Sequence, residues 1–183
     1  MMNKAHFAVT VISKDRPGIV ADTAEILYRL GCNVEDSSCT MLGGDFAMIL
    51  TISHVKPFTK SRLVDEFRLL HDEKGLVAHV RTLTEEDLNH PAPNGELCLI
   101  SVYGADRPGI VYRVTRELAD RQVNIADLNT KLIGTEEKPV YVMMLEAYLP
   151  DGTSIEDADH LLAGLRAELN VEIGVRAITS VSL

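Results

Sequence analysis

The hexapeptide Asp15-Arg16-Pro17-Gly18-Ile19-Val20 returns unchanged as Asp106-Arg107-Pro108-Gly109-Ile110-Val111. A repeat of that length is not expected by chance in 183 residues, so internal duplication is the first constraint on the fold. The same offset of 91 pairs Val11 with Val102, Leu27 with Leu118, Asn33 with Asn124, Asp36 with Asp127 and Gly43 with Gly134. Four extra residues in the second copy, around Glu136 to Pro139, change the offset to 95, and Met48/Met143, Leu50/Leu145, Val80/Val175 and Arg81/Arg176 then align. Two homologous units account for nearly the whole chain. Their expected limits are 1–85 and 96–183, with 86–95 as a linker.

Both copies change hydrophobic period at the same places. Residues 6–13 form an apolar, β-branched run, the pattern of a largely buried strand. Pro17 suits a first helical turn and Asp15 or Arg16 its cap. Val20, Ala24, Leu27 and Leu30, flanked by Ile19, Thr23 and Ile26, then make an apolar face that Gly31 ends. Residues 33–41 and 46–54 read as a hairpin around Gly43-Gly44-Asp45, with Val34, Met41, Ala47, Ile49 and Leu50 as apolar sheet positions. A helix from Thr59 to Lys74 presents Leu63, Phe67 and Leu70, and residues 76–83 close the unit as a strand. Residues 85–95 are polar, with two prolines and a glycine, as in a linker. The second copy predicts a strand at 97–103 and a helix at 108–121 with Val111, Val114 and Leu118 inward. A hairpin at 124–133 and 140–149, a helix at 155–169 and a strand at 171–181 follow. The order βαββαβ is α+β and ferredoxin-like: a four-stranded antiparallel sheet with both helices on one face. The opposite face must be covered, solvated or paired.

Charge and motif content narrow the function. Residues 1–90 carry 10 basic and 13 acidic residues and residues 91–183 carry 8 and 14, so both units repel nucleic acid as whole bodies. No apolar run approaches the ~20 residues of a membrane span, and the N-terminal residues lack an apolar signal core, so the expected compartment is the cytoplasm. Cys32, Cys39 and Cys98 have neither disulfide-framework nor zinc spacing, and the six histidines show no HxH or HExxH pattern. No phosphate- or dinucleotide-binding glycine loop is present. The expectation is a protein that is not an enzyme and needs no metal or cofactor.

The repeated hexapeptide is the candidate site. A helix start explains the proline and a capping acid, but not why Arg16 and Arg107 accompany them, nor why a poor helix former follows proline. A glycine beside helix-start amides allows close approach, and unpaired N–H groups at the positive helix end suit a carboxylate. The candidate residues are therefore Asp15, Arg16, Pro17, Gly18, Ile19 and Val20, with Asp106, Arg107, Pro108, Gly109, Ile110 and Val111. Asn33 and Asn124, opening the second strand of each unit, either end a helical turn or present an amide to a small polar ligand.

Strand, Asp-Arg-Pro-Gly-Ile-Val, helix, Asn, strand, set in a βαββαβ unit, resembles the ACT domain, a small amino-acid-sensing module, and the resemblance covers both repeats. Two such units in one chain look most like the glycine cleavage system transcriptional repressor group. The resemblance implies a non-enzymatic regulator whose units pair side by side as a homo-oligomer. It further implies a small amino acid, glycine or similar, bound at the pairing interface, and action through a protein partner such as a transcription factor rather than on DNA. In serine-binding members the loop acid or amide and the Asn of the second strand hold the ligand; these fall on Asp15 and Asp106, and on Asn33 and Asn124. Some members add a His two residues before the loop acid, where this chain has Ser13 and Gly104. Asp in the loop favours the ligand's ammonium group, leaving the carboxylate to backbone amides. Other functions compatible with such a chain are a detached regulatory subunit of an amino-acid biosynthetic enzyme and a ligand-free dimerisation module.

Overall fold

Residues 4–55, 57–89 and 94–178 are described by a computed structural model, and the chain divides between His90 and Pro91 into two units. Unit 1 runs β1 (Lys4–Lys14), α1 (Ile19–Arg29), β2 (Asn33–Leu42), β3 (Asp45–Val55), α2 (Lys60–Lys74) and β4 (Val77–Leu83). After the short α3 (Glu85–Leu88), unit 2 runs β5 (Leu97–Gly104), α4 (Ile110–Asp120), β6 (Asn124–Thr135), β7 (Lys138–Tyr148), α5 (Ile155–Leu169) and β8 (Val171–Ala177). The sheets are antiparallel, with strand orders β2-β3-β1-β4 and β6-β7-β5-β8. The α+β, tandem ferredoxin-like reading therefore holds.

Period-two burial defines the helix-bearing face. Phe7, Val9 and Val11 of β1 and Phe46, Met48, Leu50 and Ile52 of β3 are buried with Ile19, Ile26 and Leu27 of α1 and Leu63, Phe67 and Leu70 of α2. The second core repeats this with Cys98, Ile100 and Val102, Met143, Leu145 and Ala147, Val114 and Leu118, and Leu162 and Leu165. Each fully buried large side chain contributes about 1.5–3 kcal/mol of transfer free energy.

Several expectations are corrected. The first helix of each unit starts at Ile19 and Ile110, so Pro17 and Pro108 precede the helices rather than opening them. The cap positions belong to Gly18 (φ 94°) and Gly109 (φ 100°), and among the described residues no side chain caps either helix. Asp15 and Asp106 are thus not caps: a left-handed residue, for which glycine carries no Cβ penalty, makes the turn instead. Of the expected helix faces, Ile19, Thr23, Ile26, Leu27 and Leu30 are buried, whereas Val20 (47%) and Val111 (39%) are exposed. Val20 and Ala24 turn away from the sheet and share a cleft with Met41 at the end of β2. Val34, Met41 and Ile49 are likewise exposed, because β2 is an edge strand and Ile49 faces away from the helices.

Part of the expected linker is helical. Thr84 Oγ1 accepts from the Asp87 N–H (3.2 Å) while the Thr84 N–H donates to Asp87 Oδ2 (2.8 Å), a reciprocal capping box that turns an acidic stretch into α3. The Thr84 backbone N–H, with Arg81 beside it, holds the Asp87 carboxyl at about 2. Residues 90–93 of the expected linker and 179–181 of the expected last strand lie outside the described residues. Among the described residues no helix is long and apolar enough to cross a membrane.

Both β2 and β6 are edge strands, exposed at nearly every position, and each carries a bulge, between Val34 and Asp36 and between Ile125 and Asp127. They present unpaired backbone groups over ten and twelve residues.

Candidate ligand site

The loop of unit 1 is tied to the β2–β3 turn by the Asp15 N–H, which donates to the Gly44 carbonyl at 3.0 Å. The first helical bond runs from the Asp22 N–H to the Gly18 carbonyl at 2.8 Å. The amides of Ile19, Val20 and Ala21 are therefore the orphan donors of the first turn, at the positive end of the helix. Arg16 folds back over this loop. Its Nη1 donates to the Pro17 carbonyl (3.2 Å) and its Nη2 to Asp22 Oδ2 (2.7 Å). Lys74, from the end of α2, holds the other oxygen of Asp22. Lys74 first and Arg16 second keep the Asp22 carboxyl below its ordinary range. Beside the loop lies a cleft of 500 Å³ lined by Asp15, Arg16, Val20, Ala24, Met41 and Phe46, among others.

The second loop has the same backbone and different surroundings. Its first helical bond runs from the Arg113 N–H to the Gly109 carbonyl at 2.9 Å. Where unit 1 has Asp22, unit 2 has Arg113, which bridges to Glu168 of α5 at 2.7 Å. Arg107 consequently lacks the anchor that Arg16 has, and among the described residues it forms no ion pair. Tyr112 and Thr115 take the places of Ala21 and Ala24, and Tyr141 that of Phe46. Burial, and then the nearby Asp106 carboxylate, raise the Tyr141 phenol, while Thr130 bonds to it.

Asn33 and Asn124 do not join the loop of their own unit. The β2–β3 ladder runs from Asn33 opposite Ser53 to Leu42 opposite Asp45, and Asp15 is tied to Gly44 at the far end. At ~3.3 Å per residue the strand separates Asn33 from the loop by ~30 Å. Asn124, opposite Tyr148, stands equally far from Asp106, whose charge is felt at Tyr141. Both asparagines are exposed.

The positions before the loop acids differ. Ser13 is buried and donates to the Lys14 carbonyl at 3.0 Å. At Gly104 an added Cβ would lie 2.7 Å from Val171 Cγ1. Asp22, Lys74, Thr130 and Tyr141 are site neighbours that motif reading alone missed. The signal available was the reversal of charge between positions 22 and 113 at constant offset.

Such a loop can hold a zwitterion, with its carboxylate on helix-start amides and its ammonium on the aspartate. Among the described residues no group of three or more His, Cys, Asp or Glu side chains stands in metal-binding reach. Cys98 is buried, Cys32 is half-buried with its thiol pushed up by burial, and Cys39 is exposed.

The ACT domain family model matches residues 5–81 and 96–145. The glycine cleavage system transcriptional repressor of Escherichia coli K12 is 24% identical over 181 residues, spanning 97% of this chain and 93% of that protein. A crystal structure of a protein of unknown function from Galdieria sulphuraria superposes with a TM-score of 0.79 at 27% identity, over 97% of this chain and 100% of the other. Another, assigned provisionally to a glycine cleavage system transcriptional repressor, superposes with a TM-score of 0.71 at 22% identity, over 97% and 99%.

Proposed function

This chain belongs to the ACT domain family, and we propose that it is a non-enzymatic, amino-acid-responsive regulator of the cytoplasm that acts through a protein partner such as a transcription factor. The reading is supported by its similarity to the E. coli repressor over nearly the full length of both chains. A net charge of −9 argues against direct contact with nucleic acid.

The observation that supports the mechanism is that the candidate residues Asn33 and Asp15 lie at opposite ends of the edge strand β2. Antiparallel pairing of β2 with β2 of a second copy lays the start of one strand beside the end of the other. Asn33 of one copy then approaches the Asp15 to Gly18 loop of its partner. The ligand carboxylate takes the amides of Ile19, Val20 and Ala21, its ammonium takes Asp15, and Asn33 closes the site. The edge pairing and the ligand stabilise each other, so amino acid concentration sets the population of the assembled form. In unit 2, Asp106 and Gly109 of the loop before α4 and Asn124 at the start of β6 offer the same elements. Glycine, or an amino acid of similar size, is the ligand this reading names.

A thermal-shift screen across the twenty amino acids tests it. The true ligand at 100 times its dissociation constant stabilises the fold by ~2.7 kcal/mol. The double variants Asp15→Ala/Asp106→Ala and Asn33→Ala/Asn124→Ala are each expected to lose the shift without loss of folding, since all four side chains are exposed. Mixing the two variants is expected to recover part of it, because one intact site forms from Asn of one chain and Asp of the other. Full ligand-dependent stabilisation in the Asn double variant would sink the composite site.

A further inference from the structure

The face of unit 1's sheet that bears no helices is more apolar at its centre than a solvated face requires. Ile12 (50%), Ile49 (57%) and Val77 (55%) are exposed there. The registers arrange this face in rows that cross all four strands in the order β2, β3, β1, β4. One row is Asp36, Thr51, Ala8, Arg81; the next is Ser38, Ile49, Thr10, His79; the third is Thr40, Ala47, Ile12, Val77. The charges stand at the ends of the first row, and the middle strands carry none in any of the three.

The same face of unit 2 is also apolar on its central strands, at Leu99, Met144, Val142 and Tyr103, but carries charges that unit 1 lacks. Its corresponding rows are Asp127, Glu146, Leu99, Arg176; then Asn129, Met144, Ser101, Gly174; then Lys131, Val142, Tyr103, Glu172. Glu146 stands on a central strand, and Glu172 replaces Val77. Covering that face would bury the Glu146 carboxylate opposite an apolar residue, which is costly without a partner charge.

We propose that the open sheet face of unit 1 is a self-association surface that packs against the same face of a second copy of this chain. A two-fold axis along the strands, midway between the sheets, reverses the strand order of one copy over the other and keeps each row over itself. Asp36 of each copy then meets Arg81 of its partner, twice. Within the rows a large side chain meets a small one: Ile49 over Thr10, Ile12 over Ala47, and Thr51 over Ala8. This alternation lets two sheets close to the ~10 Å separation of stacked sheets. A two-fold axis across the strands instead lays the first row over the third, setting Asp36 on Thr40 and Arg81 on Val77. That arrangement strands both charges. Arg81 bonds Asp87 with Nη1 at 2.8 Å and is 56% exposed, so it can take Asp36 as a second partner. The surface is distinct from the β2 edge, because Ile49, Thr10 and Ile12 lie on the two central strands.

Analytical ultracentrifugation of the full chain, over a range of concentrations, tests the assignment. The wild-type chain is expected to assemble, and Ile49→Lys, at an exposed position, to halve the mass of the largest species. Asp36→Arg and Arg81→Asp are each expected to raise the dissociation constant about tenfold, and the double variant to restore it, because the swapped charges meet across the interface. Edge pairing through β2 does not involve Ile49, so an unchanged mass for Ile49→Lys assigns the assembly to the edge and overturns the proposal. A monomeric wild-type chain, or a double variant as weak as its parents, overturns it equally.

Discussion

The two units share an identical hexapeptide and differ in how its arginine is held. In unit 1, Asp22 in the first turn of α1 draws in Arg16 from the loop and Lys74 from α2, one carboxylate oxygen to each. In unit 2 the same position is Arg113, whose partner is Glu168 of α5, and the polarity of the tie between helices is reversed. Arg107 is left to the solvent as a result. The same scaffold thus carries one loop whose cation is internally neutralised and one whose cation is available, with the difference set outside the repeated residues. The bulges teach the same lesson. The extra residue of β2 is Glu35, held by Lys4, His6 and Ser53, whereas that of β6 is Ala126, with Leu97 and Tyr148 in the places of His6 and Ser53. Duplication has kept the backbone and exchanged the polar fittings.

The contrast between the units is tested most severely at the residue two places before the loop acid. A Cβ on Gly104 would meet Val171 Cγ1 at 2.7 Å, the Asn170 carbonyl at 3.2 Å and Val171 Cα at 3.3 Å, two of them backbone atoms. Gly104→Ser is therefore expected to destabilise by about 1–3 kcal/mol through overpacking. Ser13→Gly in unit 1 is expected to cost about 0.5–1 kcal/mol, the usual penalty of glycine in a strand. Urea unfolding of both variants checks this; equal losses would show that the two positions are packed alike. The same contacts leave no room for a histidine Cβ at position 104 unless Val171 moves.

An effect of similar size or less is expected inside the helices. Thr23 is fully buried and its hydroxyl has no hydrogen-bond partner among the described residues, while Val114 holds the same place in unit 2. Thr23→Val removes an unsatisfied polar group at nearly constant volume and is expected to gain about 1 kcal/mol, whereas Val114→Thr should lose about 1–3 kcal/mol. A loss on Thr23→Val would show that its hydroxyl is bonded after all.

The architecture was legible because burial in both cores follows simple periods. Phe7, Val9 and Val11 alternate, and Leu63, Phe67 and Leu70 recur at helical spacing. What misled was chemistry that two patterns share. A proline after an aspartate reads equally as a capped helix start and as a loop before one, and only the positive φ of Gly18 and Gly109 separates them. Val20 and Ala24 fit an apolar helical face as well as Ile19 and Thr23 do, and the neighbouring sheet decided between the two. The acidic residues after Thr84 have the composition of a linker but the spacing of a capping box. The separation of Asn33 from Asp15 could not be read at all, because motif spacing does not say which end of a strand meets which loop.

The smallest expected difference between the units is their response to acid. The Ser53 hydroxyl first, then His6 and Lys4, hold the Glu35 carboxyl below its ordinary 4.5. Its folded-state value lies under its unfolded one, so its contribution to stability is fully present above 4.5 and drains as pH falls through and below that value. The pair is partly exposed and screened, which limits the contribution to about 1 kcal/mol or less. Asp22, Asp87 and Asp157 are also lowered and drain in the same direction, so the wild-type acid curve alone does not isolate Glu35. The informative quantity is the difference between the wild type and Glu35→Gln in melting temperature as pH is lowered from about 6 to about 3. That gap is expected to narrow as the wild type loses its carboxylate. Ala126→Glu in unit 2 should produce no such pH-dependent gain, because Leu97 and Tyr148 supply neither a cation nor the Ser53 hydroxyl. A gap between wild type and Glu35→Gln that stays constant across the range would mean that Glu35 acts by shape rather than by charge.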